Sequence, residues 1–272
     1  MIALAPGWDE NFPKVMRFVD LQNVCAKPWK LLFNHPDYDA AKNHEDRQAA
    51  ARLVKSLLDT PDNIKQLKSL KTSFPDAIVV PVRAVEAGGK NRIPEMLAEY
   101  ISKKTGLQVD TTIIQANQVF RTGSDPWHRF AFRPEFDGEV QNRRNYILVD
   151  DVFAFGGSFS ELRRHIEKNG GKAVQTAAMA LGGHGGEIAL SSAMRVKLLD
   201  THGEQPLSSF MKEIDLYEGN FNCLTQPEAY ALAKTPSLNA ARDQIFAARR
   251  TGRPRDSQEI VLRPQTPPLR RR

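Results

Sequence analysis

Three features of this 272-residue chain predict an α/β fold built on a mostly parallel sheet flanked by helices. Between residues 76 and 182, short apolar strands alternate with helices in units of about thirty residues, the spacing of βαβ crossovers. The run 77–82, AIVVPV, is apolar and β-branched almost throughout, as in a strand covered on both faces. Turn residues separate these runs, with Gly106 and the pair Gly170-Gly171 placed to end helices.

The elements follow in order. The apolar stretches 15–19 and 29–33 are expected to pair as small strands. Residues 45–58 read as an amphipathic helix, with Ala49, Leu53, Leu57 and Leu58 on one face. Pro61 opens a second helix, where its missing N–H leaves no bond unmade, and Thr60 supplies the N-cap. That helix carries Ile64, Leu67 and Leu70 and stops before Pro75. A strand at 77–82, a polar loop at 83–92 and a helix at 94–104 come next. Further strands are predicted at 109–115, 146–149 and 173–181, with a helix at 158–168. Beyond Leu181 the chain reads as a glycine-rich turn and a short strand at 187–190. Helices follow near Ser192 and at 206–214, 226–233 and 237–250. The predicted organisation is an N-terminal hood or helical segment 1–75, a core 76–190, a C-terminal helical segment 191–248 and a disordered basic tail 249–272.

Composition narrows the function classes. The apolar share of 41% and charged share of 26% are those of a globular protein. No run reaches the roughly 18 apolar residues of a membrane span, and the start of the sequence shows no secretory leader. Cys25 and Cys223 stand apart from each other and from any metal-ligand spacing, which fits a reducing cytoplasm. The net charge of +6 belongs entirely to residues 249–272, where eight arginines face two acids; residues 1–248 balance at 30 basic and 30 acidic. The body therefore makes no electrostatic case for a polyanion, whereas the tail is suited to a weak nucleic-acid or protein contact.

The stretch that carries chemistry is residues 146–158, YILVDDVFAFGGS. A buried strand leads to two acids, then to a small glycine-bearing turn that opens a helix. The turn and helix N-terminus present free N–H groups and the positive end of the helix dipole, a site for phosphate. Gly156 and Gly157 let the backbone wrap an anion, and Ser158 adds a hydroxyl. Asp150 and Asp151 are acceptors suited to the vicinal hydroxyls of a ribose. The plainer alternative is a solvated strand end followed by an ordinary turn.

This segment resembles the motif of type I phosphoribosyltransferases that binds phosphoribosyl pyrophosphate (PRPP). The order of elements over roughly 76–182 is similar as well, nearest to uncharacterised phosphoribosyltransferase-like proteins. The resemblance implies that fold. It also implies that Asp150 and Asp151 hold the ribose hydroxyls while Ala154, Phe155, Gly156, Gly157 and Ser158 cradle the 5-phosphate. Two residues depart from the family pattern: Phe155 stands where threonine is usual, and Phe153 is bulkier than the usual aliphatic residue. The missing hydroxyl should weaken 5-phosphate binding by about 1.5–3 kcal/mol. Ala154 stands where some purine-salvage members carry an acidic base.

Two other loops fall at the carboxyl ends of strands, where ligands bind in such sheets. Loop 83–92 occupies the family's pyrophosphate-loop position. Gly88 and Gly89 would bring amides close, and Arg83, Lys90 and Arg92 would neutralise pyrophosphate. Loop 116–145 is long enough for a lid, with Arg121, His128 and Arg129 as candidate contacts and Trp127 as a packing residue. In both loops the plainer alternative is solvated charge. The stretch 182–186, GGHGG, lacks dinucleotide-fingerprint spacing and reads as a flexible turn.

The resemblance implies transfer of 5-phosphoribosyl from PRPP to a nitrogenous base or related acceptor with release of pyrophosphate, a reaction of nucleotide metabolism. Mg2+ would arrive with PRPP, near Asp150 and Asp151 and without a protein cage. The alternatives are a non-catalytic regulator or effector that senses PRPP or a nucleotide, and an N-glycosidic hydrolase of a conflict system. Acceptor identity and oligomeric state, a homodimer included, are left open.

Overall fold

The computed structural model describes residues 6–19, 28–86, 89–119, 124–182 and 185–251. A two-residue strand β1 (Met16–Arg17) precedes helices α1 (Pro28–Phe33), α2 (Tyr38–Asn43), α3 (Arg47–Leu58) and α4 (Pro61–Ser73). Strand β2 (Ile78–Pro81) leads into a hairpin of β3 (Val85–Glu86) and β4 (Gly89–Lys90), then α5 (Ile93–Thr105), β5 (Gln108–Val109) and β6 (Ile114–Gln115). Next come α6 (Pro126–Ala131), β7 (Phe136–Asp137), β8 (Asn145–Phe153), α7 (Gly157–Lys168) and β9 (Lys172–Leu181). Helices α8 (Ser192–His202), α9 (Glu204–Glu213), α10 (Gln226–Lys234) and α11 (Leu238–Thr251) complete the described chain, with 3-10 turns at Tyr217–Gly219 and Phe221–Cys223.

The five-stranded sheet has the order β1-β9-β8-β2-β5, and each of its pairings is parallel. Side chains alternate across it as strand geometry requires. Val79, Ile147, Val149, Ala177 and Met179 face a core shared with α3, α4 and α5. Ile78, Val80, Tyr146, Leu148 and Ala178 face Phe159, Leu162 and Ile166 of α7 together with Trp8. A third apolar cluster joins α8–α11 to Phe130 and Phe155. The chain is thus α/β, with helices on both faces of a parallel sheet.

Local signals explain most boundaries. Thr60 Oγ1 accepts from Asn63 N–H at 3.3 Å and Pro61 begins α4; Gly106 ends α5 at φ 71°. Four expectations are corrected. Residues 29–33 belong to a helix, opened by Pro28, rather than a strand; so short an apolar run has no decisive period. The predicted strand 109–115 is broken, because Asp110 Oδ1 accepts both N–H and Oγ1 of Thr112 at 2.7 Å and turns the chain. Its second half pairs with β7 in a separate hairpin. Residues 187–190 form no strand: Gln226 N–H donates to Ile188 O at 2.9 Å, so that carbonyl joins a helix start rather than a ladder. Finally, β8 continues past Val149 through both acids to Phe153, in register with β9. Of the predicted tail, Arg249 and Arg250 lie in α11; the remainder from residue 252 lies outside the described residues. Among the described residues no helix is long and apolar enough to cross a membrane.

Candidate functional site

Strand β8 carries Asp150 and Asp151 to the carboxyl edge of the sheet, and the turn 154–156 delivers the chain into α7. Gly156 is the N-cap of α7 at φ 83°, a conformation that favours glycine. A Cβ there would also lie 2.9 Å from Thr225 Cγ2 and 3.0 Å from the Phe153 ring. Neither phenylalanine ring is left loose at the turn. Phe153 is buried and stacks on Phe159 with centroids 6.3 Å apart. Phe155 points into the C-terminal cluster, edge-on to Phe130 at 5.3 Å. The Phe155 ring thus ties the turn to the cluster built by α8–α11.

A cavity of about 460 Å3 opens over this turn. Asp150, Asp151, Ala154, Phe155, Gly156 and Ser158 line one wall, and Phe33, Tyr38 and Lys42 contribute another. Asp151 is 5% exposed and heavily engaged. Its Oδ2 accepts from Lys42 Nζ at 2.6 Å and Asn91 Nδ2 at 3.0 Å, and its Oδ1 from Val152 N–H at 2.8 Å. Burial works against its charge, but the Lys42 ammonium and these hydrogen bonds outweigh it and hold the carboxyl below the usual carboxylate range. Asp150 Oδ1 accepts the adjacent Asp151 N–H at 2.8 Å. Burial first, then the neighbouring Asp151 charge, raises Asp150 well above the usual range. Asp150 is itself half-buried on the cavity wall.

The other predicted residues divide between this cavity and two neighbours. Arg129 lines the main cavity, its Nε donating to Ser124 O at 3.1 Å. Arg83 and Lys90 line a smaller cavity of about 110 Å3 with Asn91, Arg92 and Glu95; Ala84, Asn91 and Gln115 border both. Arg83 donates through Nη1 to Thr111 O. Gly89, at φ 137°, lies in the hairpin beside Glu45, and Lys90 N–H donates to Glu45 Oε1 at 3.0 Å. His128 lines a third cavity of about 390 Å3 and packs on Phe132 at 4.7 Å. Gly157 is buried in the first turn of α7. Gly88 and Arg121, along with residues 183–184 of the glycine-rich turn, lie outside the described residues.

Sequence reasoning missed Lys42, Asn91, Glu45 and Thr225. Lys42 lies on α2, a six-residue helix too short to show a period, and nothing local marks it as a partner of a residue 109 positions away. Thr225 does carry a signal: with Glu228 it forms a capping box, T-x-x-E. Among the described residues no three His, Cys, Asp or Glu side chains gather as metal ligands. Asp151 is engaged by Lys42 and Asn91, and Asp150 by the Asp151 N–H, so both carboxyls of the pair carry hydrogen-bond partners.

Comparison with known proteins places this geometry in context. No family model matches the chain. It is 41% identical over 239 residues to Protein TraN of Escherichia coli, covering 88% of this chain and 50% of that protein. It is 37% identical over 161 residues to an uncharacterized protein of Haemophilus influenzae, covering 59% of this chain and 34% of that protein. The chain therefore spans half and about a third of the lengths of these relatives. Among solved structures it is similar to an adenine phosphoribosyltransferase at 13% identity, covering 51% of this chain and 73% of that one, with TM-score 0.32. It is similar to Leishmania donovani UMP synthase at 11% identity (45% and 23% covered, TM-score 0.27). A third is TT1426 from Thermus thermophilus at 14% identity (51% and 84% covered, TM-score 0.29). At such scores the fold rests on the sheet topology itself.

Proposed function

We propose that the chain binds PRPP and transfers its 5-phosphoribosyl group to a nitrogenous base or related acceptor, releasing pyrophosphate. One observation carries this reading. The turn 154–158 borders open space beside Asp150 and Asp151, and Phe153 and Phe155, which also line that space, pack their rings on Phe159 and Phe130 and leave it open. The turn and the start of α7 would hold the 5-phosphate through backbone N–H groups and Ser158. Asp150 and Asp151 would accept from the ribose hydroxyls. Arg83, Lys90 and Gly89 would face the pyrophosphate, with Arg129 of the cavity wall as a further loop contact.

Departure of pyrophosphate from C1 leaves positive character on the ribose, so the site acts mainly by orienting the sugar and meeting the departing charge. Mg2+ bound to PRPP would supply further neutralisation of that charge. A second reading, a non-catalytic sensor of PRPP or a nucleotide, draws on the engagement of Asp151 by Lys42 and Asn91. An assay of pyrophosphate release from Mg-PRPP with a panel of bases separates the two. Base-dependent release supports transfer. Binding without release with any base would favour the sensor, and ribose phosphate formed without an acceptor would mean hydrolysis.

A further inference from the structure

The corner between α2 and α3 places two side chains where a ligand's own polar groups would go, if Asp151 and Lys90 bind ligand as proposed above. Lys42 Nζ donates to Asp151 Oδ2 at 2.6 Å, as a sugar hydroxyl would. Three residues on, Glu45 Oε1 accepts the Lys90 N–H at 3.0 Å, as a phosphate oxygen would. Glu45 Oε2 also lies 3.5 Å from the Arg92 guanidinium. Glu45 reaches this position from a left-handed backbone, φ 56°, unusual for a residue with a side chain. Gly89 makes room for it: a Cβ there would lie 2.8 Å from Glu45 Cγ. Arg92 N–H donates to Ala41 O at 3.0 Å and fastens the corner to the loop.

We infer that Lys42 and Glu45 are specificity-determining residues that stand in for the ligand. A molecule enters fully only if it brings hydroxyl donors for Asp151 and an anionic group for the Lys90 amide, replacing both contacts together. Ribose 5-phosphate or pyrophosphate alone exchanges one charge-assisted bond for another and leaves the second contact closed, so each gains little. The Glu45 arm is the more accessible of the two, its side chain being 44% exposed whereas that of Lys42 is 9% exposed.

The test is calorimetric titration of the full chain with Mg-PRPP and with Mg-pyrophosphate, in wild type, Glu45→Gly and Glu45→Gln. Glycine suits the left-handed backbone and removes the carboxylate, so the fold should persist. Glu45→Gly is expected to bind Mg-pyrophosphate about tenfold more tightly, as when one charge-assisted hydrogen bond ceases to compete. Glu45→Gln still fills the place and accepts from the Lys90 amide, so its gain should be clearly smaller. An equal gain in both variants would assign the effect to charge alone and overturn the inference, as would no gain in Glu45→Gly. Should wild type fail to bind Mg-PRPP, the reading of the site falls and this inference with it. Where wild type binds Mg-PRPP and only the pyrophosphate gain is missing, this inference alone falls.

Discussion

The hydroxyl of Thr225 donates to the carbonyl oxygen of Phe155 at 2.7 Å, across 70 residues, and fixes the turn 154–156 to the start of α10. The same hydroxyl accepts from Glu228 N–H at 3.2 Å, and the Glu228 carboxylate accepts the Thr225 N–H at 2.9 Å. Thr225 and Glu228 are both fully buried. The turn proposed to grip phosphate is therefore held from behind by a helix cap.

Thr225→Val keeps the shape against Gly156 but removes the donor to a carbonyl in a buried contact. It should destabilise the protein by about 1–3 kcal/mol in chemical denaturation. Thr225→Ser, which keeps the hydroxyl, should recover most of that loss. Equal losses in the two variants would show that the methyl group, not the hydrogen bond, matters.

Arg133 leads from loop 116–145 into the same cap. Its Nε donates to Glu161 of α7 at 2.9 Å, and its other nitrogens donate to Glu228 and the Tyr217 hydroxyl. Burial opposes the Arg133 charge, yet the neighbouring Glu228, Tyr217 and Glu161 raise its pKa well above the usual arginine value. Arg133→Met leaves the Glu228 carboxylate buried without its cation, a loss of about 3–5 kcal/mol. A thermal melt of the variant should show a large fall, and an unchanged melting temperature would contradict the network.

Asp150 has a raised pKa in the folded protein, so it favours the folded state most when protonated. Its contribution is fully present below the unfolded carboxyl value, near 3.8, and is lost as pH rises through the raised folded value. Asp150→Asn should therefore raise the melting temperature relative to wild type at pH 7–8, with the advantage shrinking as pH falls toward about 4. Asp151, depressed instead, contributes stability above the unfolded value that is lost as pH falls through its lowered one. An Asp150→Asn advantage that grew on acidification would contradict this assignment.

Burial pushes the Cys223 thiol up to about 11, and its side chain is 2% exposed. In the native protein at pH 8 it should resist alkylation, and peptide mapping by mass spectrometry should find it modified only after denaturation. Rapid native labelling would mean that the packing of Phe221–Cys223 against the body opens readily.

The parallel sheet was legible because its central strands need no partner to identify them. The 77–82 and 146–149 runs are apolar throughout, and Thr60-Pro61 and Gly106 punctuate their own helices. The acids and the turn after β8 were equally readable, being contiguous in sequence. What escaped was long-range. Lys42 meets Asp151 through tertiary packing of a six-residue helix, and Glu45 meets Lys90 across 45 residues. That the Phe155 ring packs into a cluster built from the C-terminal helices was not legible either, since its partners lie far along the chain. The break in the 109–115 strand turned on one Asp110 side-chain bond that competes with the ladder.

Titration of the folded chain with Mg-PRPP, wild type beside the Asp150→Asn, Asp151→Asn double variant, tests the central claim most directly when read below each protein's melting transition. Saturable binding by wild type that disappears in the double variant is the predicted result. Equal heats in the two proteins, or no binding by wild type, would contradict a ribose phosphate held between those carboxylates and the turn that follows them.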